Sequence, residues 1–248
     1  MTTKTLVSRR TVLEIGATLG LTLSGTAAAA AAKPGGNAKP GGAKPGGKKR
    51  KDDEIGPGED LMREHGVLRR VLLVYGEAAR RLEGAAEFDV SAVQKCARLV
   101  RTFIEDYHEK QEEEVLFPRF ERAHKLVELV SVLRAQHQAG RRTTERIQGL
   151  AIAGVFKDAD RRRQLRAELA AFIRMYEPHA AREDTVLFPA LHDIVTDSEY
   201  DALGEEFERR EHKQFGEDGF EHAVSEVDAI EKTLGIEDLA QFTPRSNP

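Results

Sequence analysis

From Glu59 onward, apolar residues recur at intervals of three and four. Leu61, His65, Leu68, Leu72 and Tyr75 share one stripe of a predicted first helix that ends near Gly84. A second helix is predicted from Asp89 or Ser91 through Phe103 and His108 to the neighbourhood of Pro118. Leu126, Val130, Leu133, His137, Gly140, Thr144, Ile147 and Ala151 form one face of a third. After the Gly154 and Asp158 punctuation, a fourth places Leu165, Leu169, Phe172, Tyr176, His179 and Glu183 inward. Asp197-Ser198 reads as the N-cap of one or two further helices that reach about Leu234, interrupted near Gly216 and Gly219. The pattern predicts an all-α protein: an up-down four-helix bundle over residues 58–195, a C-terminal helical extension over 196–234 and a tail over 235–248.

The chain before Glu59 reads differently. Ser8-Arg9-Arg10-Thr11-Val12-Leu13, a mildly apolar stretch to Leu23 and the alanine run Ala27 to Ala32 resemble a twin-arginine signal peptide over residues 1–32. Val12 and Glu14 depart from the usual form, in which Phe and Lys are common. The expectation is export by the twin-arginine machinery, cleavage within 28–32 and a periplasmic or extracellular location with no stable membrane span afterwards. Residues 33–57 repeat Lys-Pro-Gly-Gly at Lys33, Lys39 (as Lys39-Pro40-Gly41-Gly42) and Lys44, followed by the basic run Lys48-Lys49-Arg50-Lys51, and are too rich in proline and glycine to pack a core. This linker could contact cell-wall polymer or another anionic surface, or simply keep the chain soluble.

Charge sharpens that division. The first 51 residues carry ten Lys or Arg against one Glu, and the remainder 28 against 41, so a net charge of -4 hides a basic arm on an acidic body. An acidic body repels phosphate backbones, and no nucleic-acid partner is expected. Cys96, the single cysteine, has no partner for an intramolecular disulfide and reads as a small buried residue.

Aligning the chain with itself exposes a repeat. His108-Glu109-Lys110-Gln111-Glu112 leads into Val115-Leu116-Phe117-Pro118, and His179-Ala180-Ala181-Arg182-Glu183 leads into Val186-Leu187-Phe188-Pro189. An isolated histidine precedes each, His65 by 43 positions and His137 by 42. Residues four apart lie on one helical face, so each H-x3-E aims an imidazole and a carboxylate at one point. Two such helices, with one histidine from each of two others, give a dinuclear arrangement in which a carboxylate can bridge and two histidines remain for each metal. Mixed imidazole and carboxylate ligation suits iron, with manganese or zinc as substitutes.

On these motifs the chain resembles a hemerythrin-like, or HHE cation-binding, domain over roughly residues 59–195. The resemblance implies metal ligands at His65, His108, Glu112, His137, His179 and Glu183, and a cofactor of two iron ions, oxo- or carboxylate-bridged. Oxygen-carrying hemerythrins place two histidines four apart on the third helix, whereas Arg141 follows His137 at that spacing here. The four-histidine, two-glutamate set looks more like the iron-sensing and bacterial relatives.

Among other residues, His124, His192 and His222 read as surface, and His212, with Glu208 and Glu211 nearby, as a residue that could add to the site or lie outside it. Glu109 and Glu113 read as solvated charge, with orientation of an imidazole as the alternative. Tyr176 reads as core, or as a hydrogen-bond donor to a ligand on the metal. Arg161-Arg162-Arg163 reads as a solvated face. Pro178, which has no counterpart before His108, is expected to bend the fourth helix and make the two metals inequivalent. Three functions stay open: a binder of iron and of dioxygen, nitric oxide or peroxide for sensing, buffering or protection; a di-iron oxidoreductase acting on peroxide or dioxygen; and a cell-envelope interaction module with metal as a staple.

Overall fold

The computed structural model describes residues 55–244, so the expected signal peptide and nearly all of the expected linker lie outside the described residues. Among the described residues all regular structure is helical, and no helix is long and apolar enough to cross a membrane. Helix α1 spans Pro57–Glu83. Pro57 opens it where a missing N–H costs nothing, Glu59 and Asp60 sit in its first turn, and Arg80 and Arg81 sit in its last, matching the helix dipole at both ends.

Helix α2 runs without a break over residues 91–122, past the expected end at Pro118. It survives the proline because the backbone widens into a π turn, Glu112–Leu116, just before it. The Phe117 N–H donates to the Glu112 carbonyl, five residues back. Widening also moves the Glu114 carbonyl away from the proline ring that would otherwise crowd it. A second π-helical stretch, Val100–His108, leads into the first H-x3-E motif.

Helix α3 spans Val127–Leu150. Leu126 precedes it in the left-handed region, with φ 51°, rather than lying on its face as the periodicity predicted. Helix α4, Ala159–Arg182, is capped by the Asp158 carboxylate, which accepts from the Asp160 and Arg161 N–H groups at 3.0 Å each. The helix continues through Pro178 into a π turn, Glu183–Leu187, where Phe188 N–H donates to the Glu183 carbonyl at 2.9 Å. The two VLFP tails therefore do the same thing: each proline follows a π turn that closes on the preceding glutamate.

Helix α5 spans Asp197–Phe215 and α6 spans Gly219–Leu234. The N-cap of α5 is Thr196, one residue before the expected Asp197-Ser198. Its hydroxyl accepts from Glu199 N–H at 3.3 Å while the Glu199 carboxylate accepts from Thr196 N–H at 2.8 Å, a reciprocal box that Asp197 cannot form in that register.

Helix α1 packs on α2 and α4, α3 packs on α2 and α4, and α6 lies across α1 and α2. The core falls into two apolar clusters. Along α1 and α3 the chain passes from the smaller cluster (Leu61; Val130, Leu133) through a buried histidine to the larger (Val67; Ile147), and along α2 and α4 it passes the other way. A polar layer thus separates the clusters at one level of all four helices. The C-terminal extension belongs to this core: Leu203 and Phe207 enter the smaller cluster, and Val227, Ile230 and Leu234 the larger. Arg70 pairs with Asp228 at 3.0 Å and with Glu231, and Arg81 donates to the Leu234 carbonyl at 2.7 Å.

Because Phe207 is fully buried, Phe207→Ala is expected to cost about 3–5 kcal/mol of stability. Urea unfolding of the two chains checks this; a loss under about 1 kcal/mol would mean the extension does not share the core.

Candidate metal centre

All six residues singled out by the repeat meet in the polar layer, each at most 3% exposed. They form two overlapping tetrads: His65, His108, Glu112 and Glu183, and Glu112, His137, His179 and Glu183. Within each, one donor atom per residue lies within 4.8 Å of the others, and both carboxylates belong to both tetrads. The Nε2 atoms of His65 and His108 are 3.0 Å apart, and those of His137 and His179 are 3.2 Å apart. Two nitrogens at about 2.1 Å from one ion, in neighbouring coordination positions, stand at about that separation. Glu183 approaches His179 Nε2 at 3.0 Å and His65 Nε2 at 3.4 Å, and Glu112 approaches His137 Nε2 at 3.4 Å and His108 Nε2 at 3.8 Å.

Whether these residues fit a metal is decided by their unmet bonding. Both oxygens of Glu112 and both of Glu183 are buried without a hydrogen bond. Buried carboxylates in that condition are costly unless cations compensate them. Bound metal would supply that compensation, and four imidazoles complete a donor set suited to iron.

The outward nitrogens are just as ordered. His65 Nδ1 meets Asp184 at 2.6 Å, His108 Nδ1 meets Glu64 at 2.8 Å, His137 Nδ1 meets Glu113 at 3.1 Å and His179 Nδ1 meets the Gln136 side-chain oxygen at 3.0 Å. An acceptor at each Nδ1 fixes the tautomer and turns the Nε2 lone pair inward. Phe188 stacks on His65 at 5.5 Å and Phe117 on His137 at 5.5 Å. Each VLFP phenylalanine therefore walls the isolated histidine of the other repeat, and Glu113 and Asp184 cross over in the same sense.

Sequence reasoning missed Glu64, Gln136 and Asp184. A signal was present, since each sits beside a ligand candidate in the chain; the side chain turns to a histidine on a neighbouring helix, which one-dimensional spacing does not reveal. Glu109 and Glu113 are corrected from solvated charge: Glu109 is 1% exposed and Glu113 holds His137. Arg141 lies between them, 2.8 Å from each carboxylate. Glu109, Glu113 and His137 form a third cluster with metal-ligand spacing, and the guanidinium already pairs with both of its carboxylates. Tyr176 is core, and its hydroxyl donates to Glu109 at 2.7 Å. An added methyl at Gly140 would overlap that hydroxyl, so this glycine makes room for the contact. His212, His124, His192 and His222 are exposed, and Cys96 is buried.

Charge in the layer is finely set. Burial and the facing Glu183 push the Glu112 carboxyl up, whereas burial of Glu183 is outweighed by His179 and His65, which hold it well below the usual carboxylate range. Burial also disfavours a charged His65, but Asp184 and Glu183 outweigh it and lift the imidazole from 6.5 to about 9. His137 is raised likewise, against burial, by Glu109, Glu112 and Glu113.

Fold and site together define, among the described residues, an all-helical protein with a buried histidine-glutamate cluster that could hold metal. The chain belongs to the hemerythrin HHE cation-binding domain family, whose model matches residues 57–191. It is similar to an uncharacterized protein of Mycobacterium tuberculosis and one of Mycobacterium bovis, each 45% identical over 238 residues, covering 96% of this chain and 91% of theirs. No solved structure matches.

The raised His65 fixes the sign of two pH effects. Protonation stabilises the folded chain fully below about pH 6.5, and that contribution is lost as pH rises through about 9. Metal binding needs the neutral ring, so affinity should fall, with proton release on binding, as pH drops below about 9. Chelator competition and thermal unfolding of chelator-treated chain across this range check both; affinity that stays flat down to pH 6 contradicts the assignment.

Proposed function

We propose that the chain is a non-haem di-iron protein of hemerythrin-like type, an up-and-down four-helix bundle that binds iron. In this reading its centre takes up dioxygen, nitric oxide or peroxide for sensing, buffering or protection outside the cytoplasm. The observation that carries it is the pair of tetrads sharing two carboxylates whose four oxygens have no hydrogen bond. The opposite order of the apolar clusters along successive helices supports the up-and-down arrangement.

His65 and His108 would hold one ion, His137 and His179 the other, with Glu112 and Glu183 between them. When bound, a reduced iron pair supplies the electrons and coordination positions that a diatomic ligand or peroxide requires. The chain does the rest. The four Nδ1 acceptors hold the rings in place, Phe117 and Phe188 keep water from two of them, and Arg141 keeps charge beside His137 balanced. With arginine at 141 there is no histidine four residues after His137, so the donor set is symmetric in residue type, two histidines to each ion. That set favours binding and response over reversible oxygen carriage. Export is proposed on the Ser8-Arg9-Arg10 leader alone.

Metal analysis and the near-ultraviolet spectrum of the full chain test this reading beside a His108→Ala/His179→Ala variant. About two irons per chain, with iron absorption lost in the variant, is the expected result. Absence of metal from both chains, with equal helical content, overturns it.

A further inference from the structure

The acceptors of the four imidazoles follow one plan in both halves of the centre, and one of them differs in charge. The residue just before each isolated histidine reaches across to the histidine of an H-x3-E motif: Glu64, before His65, holds His108 Nδ1 at 2.8 Å, and Gln136, before His137, holds His179 Nδ1 at 3.0 Å. The residue just after each motif glutamate holds the opposite isolated histidine: Glu113 holds His137 and Asp184 holds His65. Three of these four acceptors are carboxylates and one is a neutral carboxamide. We propose that the two metal positions are graded, the His65/His108 position holding its ion more tightly than the His137/His179 position, because Gln136 stands where its counterpart is Glu64.

A carboxylate accepting the Nδ1 proton makes the opposite nitrogen a stronger donor to a cation, and loss of such a partner commonly weakens metal binding by about 10–100-fold. Both imidazoles of the first position have this support: Asp184, paired with Arg69, and Glu64, which is fully buried. In the second position His179 has none. Its neighbour His137 leans on Glu113, which pairs with Arg141 at 2.8 Å and Lys110 at 3.0 Å much as Asp184 pairs with Arg69, so the contrast between the positions rests on Gln136. Pro178 is the difference between the halves that the sequence displays; Gln136 is the difference that touches an imidazole. A graded pair would fill its first position at low metal supply and let the second follow the free concentration, which suits a responsive centre better than a permanently loaded one.

This inference rests on the di-iron reading, and the test separates the two. Full-length chain, stripped with chelator, is titrated anaerobically with iron(II) against a competing chelator. Wild type is expected to bind two ions in steps separated by about 10–100-fold. Gln136→Glu should tighten the weaker step and close the gap, and Glu64→Gln should close it by weakening the tighter step, with helical circular dichroism unchanged in both. His179→Ala should leave the tight step in place. Two equal steps in wild type, or a gap that neither exchange alters, overturns the gradation and leaves the di-iron reading standing. No iron bound by folded wild type overturns both.

Discussion

Two carboxylates in the middle of a helical core, Glu112 and Glu183, with four oxygens that find no hydrogen bond, set the terms for the rest of this molecule. Apolar packing alone would exclude them, because a buried unpaired charge costs far more than a methylene contributes. Everything around the pair answers that cost. Four imidazole nitrogens face it at 3.0–3.8 Å, four acceptors hold the far sides of the rings, and apolar clusters close the layer from either end. The fold is thus organised around a polar layer within its own hydrophobic core, and in the proposed reading a pair of cations would answer the chemical need that this layer creates.

The same constraint explains local backbone features outside the ligand set. Each motif glutamate closes a π turn through its own carbonyl, and each turn admits a proline and sets a phenylalanine against a histidine of the other repeat. The VLFP tails thereby bring the halves into contact. Their crossed contacts, with those of Glu113 and Asp184, make each repeat complete the other, and a single repeat would leave its isolated histidine without wall or acceptor.

Much of this was legible in one dimension. Period 3.6 placed the helices, because each has one strongly apolar face, and the doubled H-x3-E placed six residues on inward faces because four-residue spacing is a helical turn. Ends were read less well: Thr196 rather than Asp197 caps α5, since only that register closes the box with Glu199, and α2 passes Pro118 because a π turn relieves the clash. The supporting acceptors stayed hidden. Glu64, Gln136 and Asp184 are polar residues beside ligand candidates, and what they touch depends on the packing of neighbouring helices. Glu109 and Glu113 were misread for a related reason: a glutamate beside a motif looks solvated until a partly buried Arg141 from another helix is seen between the two.

Anomalous diffraction at the iron edge, on crystals of the purified chain, tests the central claim most directly. The account predicts two peaks inside the polar layer, one within bonding reach of His65 and His108 and one within reach of His137 and His179, with Glu112 and Glu183 touching both. A single peak, a peak at the Glu109–Glu113 cluster with Arg141 displaced, or an ordered layer with no peak would contradict it.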